Sequence, residues 1–148
     1  MRTIERKIVG AFIFSADDHV LLGYSGVYDG ELVVPGGGMD EGETELEAVR
    51  REIQEETCID ITKGHVEKII DDEGHFGSSE KTLRYTGERV FVKMEFIDFT
   101  VKMDQLANEI EIKADDDYTG ALWVPLAELS AHKIAEPTKK GLASLGYL

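Results

Sequence analysis

Twenty-three residues, Gly37 to Ile59, constrain what this chain can fold into more than any other stretch. A glycine-rich turn, Gly36-Gly37-Gly38, leads through a polar segment into a helix expected from about Thr44 to Thr57. Leu46, Val49 and Ile53 give that helix an apolar stripe at i, i+3 and i+7. Glu52, Glu55 and Glu56 fall at i, i+3 and i+4, so a helix stacks them as neighbours on another side. Each close pair, Glu52 with Glu55 and Glu52 with Glu56, costs roughly 0.2–0.5 kcal/mol by repulsion. Glu55 and Glu56 also sit at the negative end of the helix dipole, at about 0.3–1 kcal/mol each. A divalent cation reverses the sign of all these terms, so metal ligation is the reading that the spacing supports. Glu56 lies nearest the apolar edge and is expected to be the least solvated of the three.

The bulk numbers exclude several classes. At 148 residues the chain is long enough for one domain, 1–148, with a sizeable core. A net charge of −14 argues against a nucleic-acid polymer or an anionic membrane as partner. A small polyanionic substrate remains compatible where cations screen it. One cysteine, Cys58, rules out an internal disulfide and fits a reducing compartment. The apolar run Ile8–Phe14, broken by Gly10, is short for a signal peptide and far below a membrane span. The expected location is cytoplasmic.

Ile8–Phe14 and Val20–Tyr24 read as strands of a hairpin turned at Asp17-Asp18. Leu32-Val33-Val34 is a short strand stopped by Pro35. Val66–Ile70 is another strand, and Asp71–Gly87 is polar, aperiodic and expected to be a loop. Arg89–Val101 is the longest strand, apolar on both faces as in a covered sheet. Ile110 and Ile112 suggest a brief strand, and Ala121–Val124 a further one. Pro125 is placed to open a short helix through Leu129, and Thr138–Leu145 is a last amphipathic piece. The expected class is α+β, a mixed sheet between helices.

Gly37, Glu43, Arg51-Glu52-Ile53, Glu55-Glu56 and Ile59 stand at the spacings of the Nudix box. The chain therefore resembles the Nudix hydrolases, which cleave nucleoside diphosphates linked to another moiety. The departure is Cys58, where that pattern has glycine. Glycine there suits a helix ending in the left-handed conformation, in which a cysteine costs on the order of 1–2 kcal/mol. The resemblance implies an α/β/α sandwich and a metal site made by Glu52, Glu55, Glu56 and the Gly37 carbonyl. Catalysis would fall to Glu52, Glu55 and Glu56, with Arg51 and Glu43 paired to orient the loop against the helix.

All-oxygen ligands select hard cations, Mg²⁺ first and Mn²⁺ second. A further carboxylate from outside the box has the candidates Glu95, Glu109, Glu111 and Asp115-Asp116-Asp117, among which spacing does not choose. His19, His65 and His132 read as surface or satisfied positions, and His75 as a candidate for acid–base work. Lys81, Arg84 and Arg89 are candidate phosphate contacts. Tyr24, Tyr28, Phe76, Tyr85 and Tyr118 are candidate base-stacking rings, and Trp123 reads as core. The expected substrate is a nucleoside triphosphate or a nucleotide sugar, since 36 residues ahead of the box leave no room for an N-terminal subdomain. The alternatives are a dinucleoside-polyphosphate or ADP-ribose hydrolase and a catalytically silent nucleotide sensor; a homodimer is left open. A Ca²⁺-binding module of the EF-hand kind lacks its loop here.

Overall fold

The apolar run in the first strand is covered on both sides. In the computed structural model, which describes residues 1–26, 28–70, 75–113 and 117–148, β1 spans Arg2–Phe14. Alternation sends Val9, Ala11 and Ile13 to one face and Phe12 and Phe14 to the other. The first set packs with Leu21, Ala48, Val49 and Ile53, and the second with Val20, Leu22, Leu129 and Leu142. Helix α1 (Glu45–Thr57) and helix α2 (Glu136–Ser144) therefore lie on opposite faces of one sheet. Burying side chains such as Val49 and Ile53 contributes about 1.5–3 kcal/mol each.

The sheet is mixed. β1 runs parallel to β7 (Arg89–Lys102) along its whole length, Arg2 opposite Val90 and Phe14 opposite Lys102. β2 (His19–Ser25) pairs antiparallel with the end of β1, with β3 (Leu32–Val33) and with β8 (Tyr118–Pro125). The other edge of β7 carries β5 (His65–Lys68) and β6 (Phe76–Thr82). Pro125 precedes a 3-10 segment, Leu126–Ala131.

Four expectations are corrected. Gly36–Gly38 is a strand, β4, paired antiparallel with Ile8–Gly10 of β1. A side chain at Gly36 would overlap the Val9 carbonyl, so close backbone approach requires glycine there. Phe76–Thr82, expected within a loop, is an edge strand whose residues are nearly all exposed, so it carries no hydrophobic period. Ile110 and Ile112 form no strand; Ile110 follows a 3-10 turn at Ala107–Glu109 and enters the core directly. Leu46 is 54% exposed, because the first turn of α1 lies outside the core that Ala48, Val49 and Ile53 join.

Candidate active site

The local sequence fixes where α1 begins. Thr44 Oγ1 accepts from the Glu47 N–H and Glu47 Oε1 accepts from the Thr44 N–H, both at 3.1 Å, a capping box that satisfies two otherwise unpaired donors. The helix ends at Cys58 in the left-handed region, φ 62° and ψ 14°, where the family pattern has glycine. The Cys58 N–H donates to the Gln54 carbonyl at 3.0 Å. The buried Thr57 hydroxyl donates to the Ile53 carbonyl at 2.7 Å and accepts from the Ile59 N–H at 3.2 Å, holding the turn that follows. The departure from the motif thus leaves the helix end in place, at the strain expected from the sequence.

Between these ends α1 presents its carboxylates to β4. Arg51 is the hub. Its guanidinium grips both oxygens of Glu43 at 2.7 and 2.9 Å, and donates to Glu52 at 2.9 Å, Glu55 at 3.2 Å and the Gly38 carbonyl at 3.1 Å. The Asp40 N–H adds a bond to Glu43 at 2.7 Å. The Arg51 pairing, with that N–H second, holds Glu43 far below the usual range, at about 2, and the carboxylates in turn raise the Arg51 pKa. The expected Glu43–Arg51 pairing is present and ties the loop to both helix and strand.

Solvation differs sharply among the three helix glutamates. Glu56 is 8% exposed, the Glu52 side chain 15% and the Glu55 side chain 57%. Glu56 Oε1 accepts from the Gly36 N–H at 2.7 Å. Glu52 lies against Gly37, where a methyl would come within 2.6 Å of its carboxyl carbon, so a side chain at Gly37 would displace the carboxylate. Burial raises the Glu52 pKa and the Arg51 charge opposes it. β4 thus brings Gly37, Glu52 and Glu56 together, while Glu55 stands at the solvent rim.

The repulsion inferred from the sequence is partly met by Arg51, which draws Glu52 and Glu55 towards itself. Among the described residues no three His, Cys, Asp or Glu side chains gather at a common point. The donor chemistry nevertheless fits a hard divalent cation. The oxygens are carboxylate and carbonyl, they lie half-buried beside a backbone without side chains, and several negative charges share one guanidinium.

The other sequence candidates mostly lie elsewhere. Glu95 shares a face with Ile97 on β7, Glu109 accepts from the Leu106 N–H at 2.8 Å, and Glu111 is exposed. Glu109 and Glu111 line a cleft of about 170 Å³ beyond Cys58. Asp115 and Asp116 fall outside the described residues, and Asp117 is exposed. Lys81, Arg84 and Arg89 sit at the far end of the β6–β7 hairpin. Arg89 is seven residues from Phe96, the β7 residue opposite Ile8 where β4 pairs, roughly 23 Å along an extended strand, and its guanidinium is engaged by Thr82 and Glu80. Tyr118 is not a stacking platform: it is 1% exposed, its hydroxyl donates to the Val33 carbonyl at 2.9 Å, and its ring lies against Gly23. Burial, then the Glu56 charge, raises its pKa. Tyr28 packs with Val33, Tyr118 and Ala135, while Tyr24, Phe76 and Tyr85 are exposed. His19 bonds the Asp17 carbonyl, His65 pairs with Glu67, and His132 borders the α2 cleft. Trp123 packs against the α1-side core as expected, with its buried indole N–H unpaired among the described residues.

Asp98 was not foreseen. It stands directly opposite Gly10, and a carboxylate between the buried Ile97 and Phe99 of β7 is the signal that marks it.

Among the described residues no helix is long and apolar enough to cross a membrane. The NUDIX domain family profile matches residues 5–145. Nucleoside triphosphatase NudI of Escherichia coli (strain K12) is 27% identical over 123 residues, covering 83% of this chain and 82% of NudI. The E. coli dihydroneopterin triphosphate pyrophosphohydrolase superposes with a TM-score of 0.66 at 18% identity, over 93% of this chain and 92% of that one. The NUDIX domain of Shewanella oneidensis NrtR, complexed with ADP ribose, gives 0.66 at 18%, over 96% and 86%. With its box assembled on α1 and β4 and the family match running nearly end to end, this chain belongs to the Nudix family, as a hydrolase of pyrophosphate bonds.

Proposed function

We propose that this protein is a Mg²⁺-dependent pyrophosphohydrolase of a small nucleotide, a nucleoside triphosphate or a nucleotide sugar, acting in the cytoplasm. The observation that carries the reading is the set Glu52, Glu56 and Gly37 held together across β4 by the Gly36 N–H and the Arg51 guanidinium. Nudix enzymes use divalent metals such as Mg²⁺ or Mn²⁺. Glu52, Glu55, Glu56 and the Gly37 carbonyl would hold the ion. When bound it would neutralise charge on the diphosphate and make water more acidic.

The chain's own residues do the rest. Glu56, dry and oriented by a backbone donor, is suited to hold or accept a proton from water beside it. Arg51 fixes the Glu52 rotamer and the Gly38 carbonyl, and Glu43 fixes Arg51. The strand without side chains lets a phosphate come close to the backbone. The name of NudI favours a nucleoside triphosphate over the dinucleoside-polyphosphate and ADP-ribose alternatives. Retention of all the box carboxylates disfavours a silent sensor. Light scattering distinguishes a monomer from a homodimer.

The test is a phosphate-release screen across nucleoside triphosphates, nucleotide sugars, ADP-ribose and dinucleoside polyphosphates, with product analysis. Release of pyrophosphate or phosphate from a triphosphate is expected. Nucleotide binding without turnover of any substrate supports the sensor instead.

A further inference from the structure

Tyr118 opens β8, and its side chain reaches over the neighbouring strand. β2 lies between β8 and β3, with Ser25 opposite Tyr118 and Gly23 opposite Val33. The register of β2 on β8 shifts between Leu22 and Tyr24, at Gly23. Gly23 makes room for the ring: a methyl there would stand 2.6 Å from Cζ and 2.9 Å from the hydroxyl of Tyr118. The ring therefore crosses β2 at its glycine, and the hydroxyl donates to the Val33 carbonyl on β3 at 2.9 Å. A phenylalanine would fill the same space among Val33, Tyr28 and Ala135, so what the buried hydroxyl adds is this tether.

The tether leads directly to the carboxylates. Val33 is followed by Val34, Pro35 and then Gly36, the first residue of β4, whose N–H donates to Glu56 Oε1 at 2.7 Å. The link between Val33 and Gly36 is stiff. The Pro35 ring locks its own φ and confines Val34 to extended backbone. The Pro35 carbonyl also accepts from the Ala11 N–H at 3.1 Å. β4 pairs with β1 only from Gly36 to Gly38, so on its upstream side the Gly36 N–H is aimed by this link. Anchoring the Val33 carbonyl thus anchors the donor that orients Glu56. Ring and carboxylate are also near each other, since the Glu56 charge is the second cause, after burial, of the raised Tyr118 pKa.

Resting on the nucleotide pyrophosphohydrolase reading, we propose that Tyr118 is a positioning residue for the reaction: through the Val33 carbonyl and the Pro35 link it holds the Gly36 N–H against Glu56. Tyr118 acts on the reaction through Glu56 and is itself closed off from solvent, at 1% exposure. Without its hydroxyl the Gly36 donor drifts and Glu56 samples further rotamers. Fewer molecules then present that carboxylate in the productive geometry, which lowers turnover more than substrate affinity.

The experiment compares the wild type with Tyr118→Phe, Glu56→Gln and the double variant, melting curves confirming that each folds. Amide NMR on the metal-free proteins reads the tether itself. The Gly36 amide is expected far downfield in the wild type, as a short bond to a carboxylate requires, and upfield in Tyr118→Phe. The Met39 amide, which donates to the Lys7 carbonyl just beyond β4, should stay in place. In hydrolysis of ATP, CTP, GTP and UTP with Mg²⁺, Tyr118→Phe should lower kcat roughly tenfold and leave KM within about twofold. In the Glu56→Gln background the same change should cost less than about twofold, because the group it positions is already gone. Equal losses in both backgrounds, a loss carried in KM, or an unmoved Gly36 amide overturns the proposal. Failure of the enzyme reading shows separately, as no wild-type turnover of any of the four. The amides then decide alone: a Gly36 shift with Met39 unmoved sustains the tether, and no Gly36 shift, or an equal shift at both, overturns it.

Discussion

Cys58→Gly isolates the strain at the end of the carboxylate helix. Cys58 holds φ 62°, which costs a residue with a Cβ about 1–2 kcal/mol. Its side chain is exposed, so removing it forfeits little packing. Glycine removes the strain and widens the unfolded ensemble, which takes back about 0.5–1 kcal/mol. The net expectation is a gain of about 0.5–1 kcal/mol, or roughly 1–4 °C in melting temperature for a chain of this size. Cys58→Ala keeps the Cβ and loses the thiol, and is expected to stay within about 0.5 kcal/mol of the wild type. Both are read by calorimetry and urea unfolding, with kcat unchanged. If Cys58→Gly melts at or below the wild-type temperature, or if Cys58→Ala stabilises equally, then the left-handed backbone is not the source of the cost.

Three further outcomes are expected. Glu56→Gln keeps an oxygen for the Gly36 N–H but loses the charge, so kcat should fall at least ~100-fold while the melting temperature moves by a few degrees; a wild-type rate in Mg²⁺ would reject the role of Glu56. Arg51→Lys cannot span Glu43, Glu52 and the Gly38 carbonyl together, and should cost on the order of 2 kcal/mol in urea unfolding and lower kcat through a displaced Glu52; equal stability and rate would show that the fork is dispensable. The Glu43 pKa is about 2 when folded and 4.5 otherwise, so its contribution is present above 4.5 and is lost as pH falls towards 2. The stability gap between wild type and Glu43→Gln should close across that window; a gap constant with pH would refute the pairing.

What the sequence made legible follows from periodicity. The box, its helix and the low solvation of Glu56 could be read because one spacing fixes both the apolar stripe and the carboxylate face. Gly36–Gly38 was misread as a turn because glycine propensity opposes strands, whereas here pairing with Ile8–Gly10 overrides it. β6 left no signal because both its faces meet solvent and its order comes from β7 alone. Arg51 as a partner of Glu52 and Glu55 was hidden by attention to glutamate repulsion, although i and i+4 spacing places Arg51 beside Glu55. Asp98 was hidden by its neighbours: a strand read for its apolar residues conceals the polar one that faces Gly10 on another strand.

The measurement closest to the central claim is Mn²⁺ binding followed by electron paramagnetic resonance, on the wild type and on Glu52→Gln and Glu56→Gln, alongside nucleotide hydrolysis in Mg²⁺ and in excess chelator. Bound Mn²⁺ in the wild type, its loss or marked weakening in both variants, and hydrolysis abolished by chelator are expected. Equal Mn²⁺ binding in all three proteins, with hydrolysis undiminished in chelator, would contradict a metal site built on these carboxylates.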